Sequence, residues 1–153
     1  MKTSFDHVNL YLTGNKTEIV VWGDKFATGI ELIDLQHMEL VKLTNQLYQA
    51  CLAGDGHVAD VFKAAMRRMV NYVRFHFTAE MEFLKKINYP GYNDHKAQHD
   101  LLVKDILTAV AEFESGKKYT PNLFVRTLRD WVFGHIAYFD KNYAVFAAEK
   151  GTK

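Results

Sequence analysis

His76-Phe77-Thr78-Ala79-Glu80, then a break at Tyr89-Pro90-Gly91, then His95-Lys96-Ala97-Gln98-His99: this stretch decides how the chain is read. A spacing of four residues stacks two side chains on one face of a helix. His76 with Glu80, and His95 with His99, therefore form same-face pairs on either side of a turn. Imidazole suits iron, zinc, copper and nickel, and a carboxylate can bridge two ions, so the pairs point to a transition-metal centre rather than to calcium or magnesium. The remaining ligands are expected from the rest of the chain.

Upstream, an apolar stripe of Ile33, His37, Leu40, Val41, Leu47, Tyr48 and Cys51 predicts a helix that starts at or a few residues before Asp34 and stops at Gly54-Asp55-Gly56. Thr44 is the weakly polar member of that stripe, and His37 points inward. A lone inward histidine is more often a hydrogen-bonded core residue than a ligand. The helix carrying the first pair runs from about Val58 to Lys86, with Val61 or Phe62, Ala65, Met69, Val73, His76, Glu80 and Phe83 inward. A glutamate on that face requires a metal or an arginine to offset its burial. Met66 and Met69 read as core filler, and Arg67, Arg68, Lys85 and Lys86 as a solvated face.

Downstream of the break, Asn93 or Asp94 is expected to cap a third helix whose inner stripe is His95, His99, Leu102, Ile106, Val110 and Phe113, closed by Gly116. Thr120-Pro121 has the chemistry of a helix start, and the last helix extends to about Ala148 with Leu128, Trp131, Val132, His135, Ile136 and Phe139 inward. Asp140 stands five residues after His135, which on a regular helix would turn it about 140° away. Both reach one site only through a widened turn, so a π-bulge is predicted between them. With an unbroken α-helical ladder there, Asp140 would be an ordinary solvated charge.

A chain of 153 residues, 48% apolar, with 2 prolines and 1 cysteine, fits a single helical domain. The 19 Lys and Arg against 18 acids give no electrostatic case for nucleic acid or an anionic membrane. Cys51 has no partner in the chain, which suits a reducing compartment. No stretch approaches the roughly 18 apolar residues needed to span a bilayer. Met1 to Tyr11 carries Lys2, Asp6 and His7 where a secretory signal would be apolar, so a soluble cytoplasmic protein is expected. Residues 1–19, with a turn at Thr13-Gly14-Asn15, read as an N-terminal arm, and 20–153 as the bundle domain. Trp22 and Phe26 are expected to cover one end of its core. The expected architecture is all-α, an antiparallel up-down-up-down four-helix bundle with an N-terminal arm. His7 and His57 fall off the stripes and read as surface residues. The five inward histidines and two inward carboxylates could not satisfy one another in a dry core, and they call for a cation.

Val21-Trp22, Thr28-Gly29-Ile30, Ile33-Asp34-Leu35-Gln36-His37, the two same-face pairs, Gly91-Tyr92 and Trp131-Val132-Phe133-Gly134-His135-Ile136 with Asp140 together resemble the bacterial hemerythrins, over about residues 20–145. The resemblance implies two iron ions with an oxo or hydroxo bridge. His95, His99 and His135 would bind one iron, His37 and His76 the other, and Glu80 and Asp140 would bridge both. One position would stay open on the iron with two histidines, where O2 binds reversibly and small anions could compete. By the same resemblance Leu40, Phe77, Trp131, Val132 and Ile136 would line the O2 pocket. The family more often has a bulkier leucine where this chain has Val132. The implied role is oxygen carriage, storage or delivery, and not enzymatic turnover; the sequence leaves the oligomeric state open, with a monomer favoured. The rivals are a sensing module, for which no effector domain accompanies the bundle, and a di-iron oxidase or peroxidase, whose Glu-x-x-His repeats are missing here. A structural zinc site would use four ligands rather than seven.

Overall fold

The computed structural model describes residues 18–53, 58–116 and 120–152. A short 3₁₀ turn, Asp24–Phe26, precedes helices α1 (Glu31–Ala53), α2 (Val58–Lys86) and α3 (Tyr92–Glu114). The fourth rod is continuous but has three parts: α4 (Thr120–Trp131), a π-helical stretch (Val132–Phe139) and α5 (Asp140–Glu149). Packing of α1 on α2, α2 on α3, α3 on α4 and α4 back on α1 closes a ring of antiparallel neighbours. The molecule is an all-α, up-down-up-down four-helix bundle. No helix among the described residues is long and apolar enough to cross a membrane.

The helix ends follow from local chemistry. Asp34, in the first turn of α1, accepts hydrogen bonds from the Thr28 N–H (2.7 Å), the Thr28 hydroxyl (2.7 Å) and the Gly29 N–H (3.0 Å), tying the incoming chain to the helix start. At the far end of α2, Asn88 adopts φ 53° and the Tyr89 N–H bonds back to the Leu84 carbonyl at 3.0 Å, a left-handed cap of the Schellman kind. The Tyr89 ring then lies against Gly91, where a Cβ would meet it at 2.6 Å. Gly91, not Asn93 or Asp94, is the N-cap of α3. The tight approach of Tyr89 starts the helix before either side chain can serve, and both sit in its first turn.

Two apolar clusters fill the bundle. The larger runs from Ile19 and Phe26 through Leu47, Phe62, Met69 and Phe124 to Ile136, and the smaller joins Ile30, Ile33, Leu84, Ile87, Tyr143 and Ala147. Along each helix the passage between clusters goes through polar residues: His37 lies between Ile33 and Leu40, and Glu80 between Phe77 and Leu84. The predicted stripes hold with small shifts. Phe62 rather than Val61 is buried, Tyr48, Cys51, Phe83, Val110 and Phe113 are half-buried, and burial pushes the Cys51 thiol up to about 11. Phe139 is 42% exposed because the widened turn brings Asp140 inward in its place. The Gly54-Asp55-Gly56 stop, His57, His7 and residues 1–17 of the arm lie outside the described residues.

Ile19 already belongs to the bundle. It is buried beside Val20, and the Asn45 side chain accepts from both their N–H groups (2.9 and 3.0 Å) and donates to the Val20 carbonyl (2.8 Å). Asn45→Ala would leave three backbone groups without partners. The expected cost is ~2 kcal/mol, read as a fall of about 5 °C in the thermal midpoint. A midpoint unchanged within error would show that this clamp contributes nothing.

Candidate metal centre

All seven residues singled out by spacing meet in one buried layer, each at most 4% exposed. α1 supplies His37, α2 His76 and Glu80, α3 His95 and His99, the π stretch His135, and the first turn of α5 Asp140. The widened turn is present: the Asp140 N–H bonds to the His135 carbonyl five residues back. That shift lets the Asp140 carboxylate approach His135 Nε2 to 3.0 Å. It also reaches His95 at 3.3 Å and His37 at 3.1 Å.

The two carboxylates face two groups of imidazoles. Asp140 turns Oδ1 to His95 and His135 and Oδ2 to His37. Glu80 turns Oε2 to His99 (2.8 Å) and His95 (3.2 Å), with His76 at 3.8 Å, while Oε1 faces His37 at 3.7 Å. Glu80, His95, His99 and His135 have donor atoms close enough to hold one ion, as do His37, His76 and Glu80. Glu80 is common to both groups, and Asp140 spans them from the other side.

The donor chemistry calls for cations. His37 Nε2 lies 3.1 Å from His76 Nε2, and His135 Nε2 lies 3.2 Å from His99 Nε2 and 3.3 Å from His95 Nε2, so five lone-pair-bearing nitrogens crowd one another. Both Asp140 oxygens are buried without a hydrogen bond. Neutral imidazoles cannot donate to all of these acceptors at once, and metal ions resolve the conflict.

The electrostatics agree. Burial alone would raise the Glu80 carboxyl, but His76 and the other imidazoles hold it well below the usual carboxylate range. Burial and Glu80 push Asp140 up, and His135 and His37 outweigh them to keep it low. Burial drives His76 down to about 4. Burial also opposes a charge on His37, yet Asp140 and Glu80 lift it to about 9. In the apoprotein a proton on His37 takes the place of a cation between the carboxylates. Its folded pKa lies above the ordinary 6.5, so its contribution to apoprotein stability is complete below pH 6.5 and lost as pH rises through 9. Metal uptake is therefore expected to displace the His37 proton, so that more protons are released at pH 7 to 8 than above pH 9. Calorimetry in two buffers of different ionisation enthalpy measures it, and the same heat in both would contradict it.

Two supporting residues escaped the sequence reading. Gln36 Oε1 accepts from His76 Nδ1 at 2.8 Å, which fixes the tautomer and frees Nε2 for a metal. The Tyr143 hydroxyl donates to Glu80 Oε1 at 2.5 Å. Burial and the two carboxylates keep that phenol protonated, with its pKa well above the usual value. Leu40, Phe77, Trp131, Val132 and Ile136 are all buried and belong to the larger cluster. The Phe77 ring stacks on His99 at 3.6 Å and the Trp131 ring on His135 at 5.2 Å.

A family model described as the hemerythrin HHE cation binding domain matches residues 28–146. A bacteriohemerythrin of Stenotrophomonas maltophilia is 30% identical over 130 residues, covering 82% of this chain and 80% of its own. One from Methylococcus capsulatus is 29% identical over 119 residues, covering 78% and 88%. Among solved structures, a wild-type hemerythrin superposes with a TM-score of 0.74 at 28% identity, covering 82% of this chain and 95% of that one.

Proposed function

The chain belongs to the hemerythrin family, with its non-haem iron site, and from that premise we propose that it binds O2 reversibly at a di-iron centre, as a carrier, store or delivery protein. The observation that carries this reading is the division of five imidazoles into groups of three and two, with a carboxylate on each side facing both. His95, His99 and His135 would hold one iron, His37 and His76 the other, and Glu80 and Asp140 would bridge them. The unequal histidine count would leave the open position on the side of His37 and His76.

When bound, such an iron pair would supply the reversible electron exchange with O2. The protein residues keep that exchange reversible. Gln36 and Tyr143 fix the orientation of His76 and Glu80. Leu40, Phe77, Trp131, Val132 and Ile136 would line the pocket and exclude water, and none of them is an acid able to drive a side reaction. Such a site is built for binding rather than turnover, and small anions are the expected competitors for the open position.

The test is the optical spectrum of the iron-loaded protein, reduced anaerobically, exposed to O2 and returned to vacuum. A charge-transfer band that appears with O2 and disappears on its removal is the expected result. Direct passage to a diferric spectrum, with O2 consumed, would replace the carrier reading with that of a redox enzyme or sensor.

A further inference from the structure

On the far side of the metal layer from the proposed O2 pocket, the smaller apolar cluster opens to the surface at the corner between α2 and α3. A depression of 480 Å³ there is lined by Leu84, Lys85, Asn88, Tyr89 and Tyr92. The left-handed cap at Asn88 and the contact with Gly91 fix the half-buried Tyr89 ring at its edge. Behind Tyr89 an unbroken set of aromatic contacts leads inward. Its ring is 6.2 Å from that of Tyr143, the Tyr143 ring is 5.4 Å from that of His95, and the Tyr143 hydroxyl bonds to Glu80. Tyr143 is fully buried.

We propose that this depression is a docking site for a small, anionic electron donor with a fused ring system, a phosphorylated dihydroflavin, and that Tyr89 and Tyr143 conduct its electrons to the metal centre. The inference rests on the di-iron reading, because an oxygen-binding centre that slips to the diferric state is useless until it is reduced. Tyr89 and Tyr92 are half-buried aromatic residues of the lining, against which a flavin ring would pack. Lys85 in the lining meets its phosphate. A second cation stands nearby: Lys150 donates to the Ile87 carbonyl at 3.2 Å and lies over Phe146, itself 5.5 Å from Tyr89. Electron tunnelling weakens with each ångström of gap, and Tyr89 and Tyr143 offer close steps from the depression to His95 and Glu80. In the reaction the dihydroflavin gives up two electrons and two protons to become oxidised flavin. Each of two ferric ions takes one electron, and the protons leave to solvent. Electrons would thus arrive on one side of the layer and O2 on the other, so reduction would not require opening the water-excluding pocket.

The experiment uses the full, iron-loaded chain in its diferric state. Quenching of flavin mononucleotide fluorescence is expected to saturate, and Lys85→Glu to weaken that binding by about tenfold, the effect of one phosphate contact. Anaerobic mixing with reduced flavin mononucleotide is expected to reduce the wild-type centre at a rate that saturates with flavin. Tyr89→Leu should lose most of that rate even at saturating flavin, while Tyr89→Phe, which keeps the ring, should retain it. No saturable quenching, unaltered binding by Lys85→Glu, or a Tyr89→Leu rate equal to wild type would each overturn the proposal. Reversible O2 binding is recorded on the same samples. If the oxygen band never forms, the carrier reading fails while the flavin titration still decides this site.

Discussion

Glu80→Gln is expected to leave the protein unable to hold two metal ions together, with affinity for the pair reduced more than about 100-fold, beyond what loss of an outer partner costs a metal site. The reason is position. Glu80 belongs to both groups of donors, and its oxygens face His95 and His99 on one side and His37 on the other. Glutamine preserves the shape and still accepts from the Tyr143 hydroxyl, so the fold should survive where alanine would open a cavity. What disappears is one anionic oxygen and the charge that offsets the cations. Saturating metal at a thousand times its dissociation constant stabilises a fold by ~4 kcal/mol, worth on the order of 10 °C in the midpoint for a chain of this size. The variant should lack that increment and melt like chelator-treated wild type. Metal analysis after dialysis against a chelator gives the stoichiometry directly. Two retained equivalents would remove Glu80 from the role of bridge.

The sequence was most legible where chemistry repeats at helical spacing. His76 with Glu80 and His95 with His99 needed only the four-residue rule, and Glu80 announced itself as a carboxylate on an apolar stripe. The five-residue spacing of His135 and Asp140 was informative because it broke the rule, and the widened turn it required is present. The same turn explains an error, since a regular helix would have buried Phe139, which is 42% exposed. Tyr143 was within reach of the same reasoning: it stands three residues after Asp140, on the same face once Asp140 points inward. Its acceptor was not, because Glu80 is 63 positions away in the chain. Gln36 was hidden in the same way, with its partner His76 40 residues off. Side chains that act through a long-range partner leave no periodic trace. The caps divided likewise, for Gly91 starts α3 only because the Tyr89 ring packs over it in three dimensions.

Val132→Asn is expected to raise the rate of autoxidation by about 10²-fold, the order that a positioned proton donor contributes to a reaction. Val132 is 1% exposed, within the π stretch and three residues before His135, so a polar side chain there would be buried in the proposed O2 pocket. An amide has donors that cannot all be satisfied among Leu40, Phe77, Trp131 and Ile136, and it will draw in water. Water supplies the protons that turn reversible oxygen binding into one-way oxidation of the iron. Threonine, nearer to valine in shape, is the weaker probe. Thr44, Thr78 and Thr108 in this chain each donate the hydroxyl to the carbonyl four residues back, at 2.8 to 2.9 Å, and a threonine at 132 could be silenced in the same way. Val132→Leu is the apolar control. It adds bulk without a donor, and should slow autoxidation if the smaller valine leaves room for water beside the open position. The rates are read as loss of the oxygen band over time in air at fixed pH. An asparagine variant that autoxidises no faster than wild type would show that Val132 is not part of the barrier to water, and that the dry side of the centre is set by the stacked rings of Phe77 and Trp131 instead.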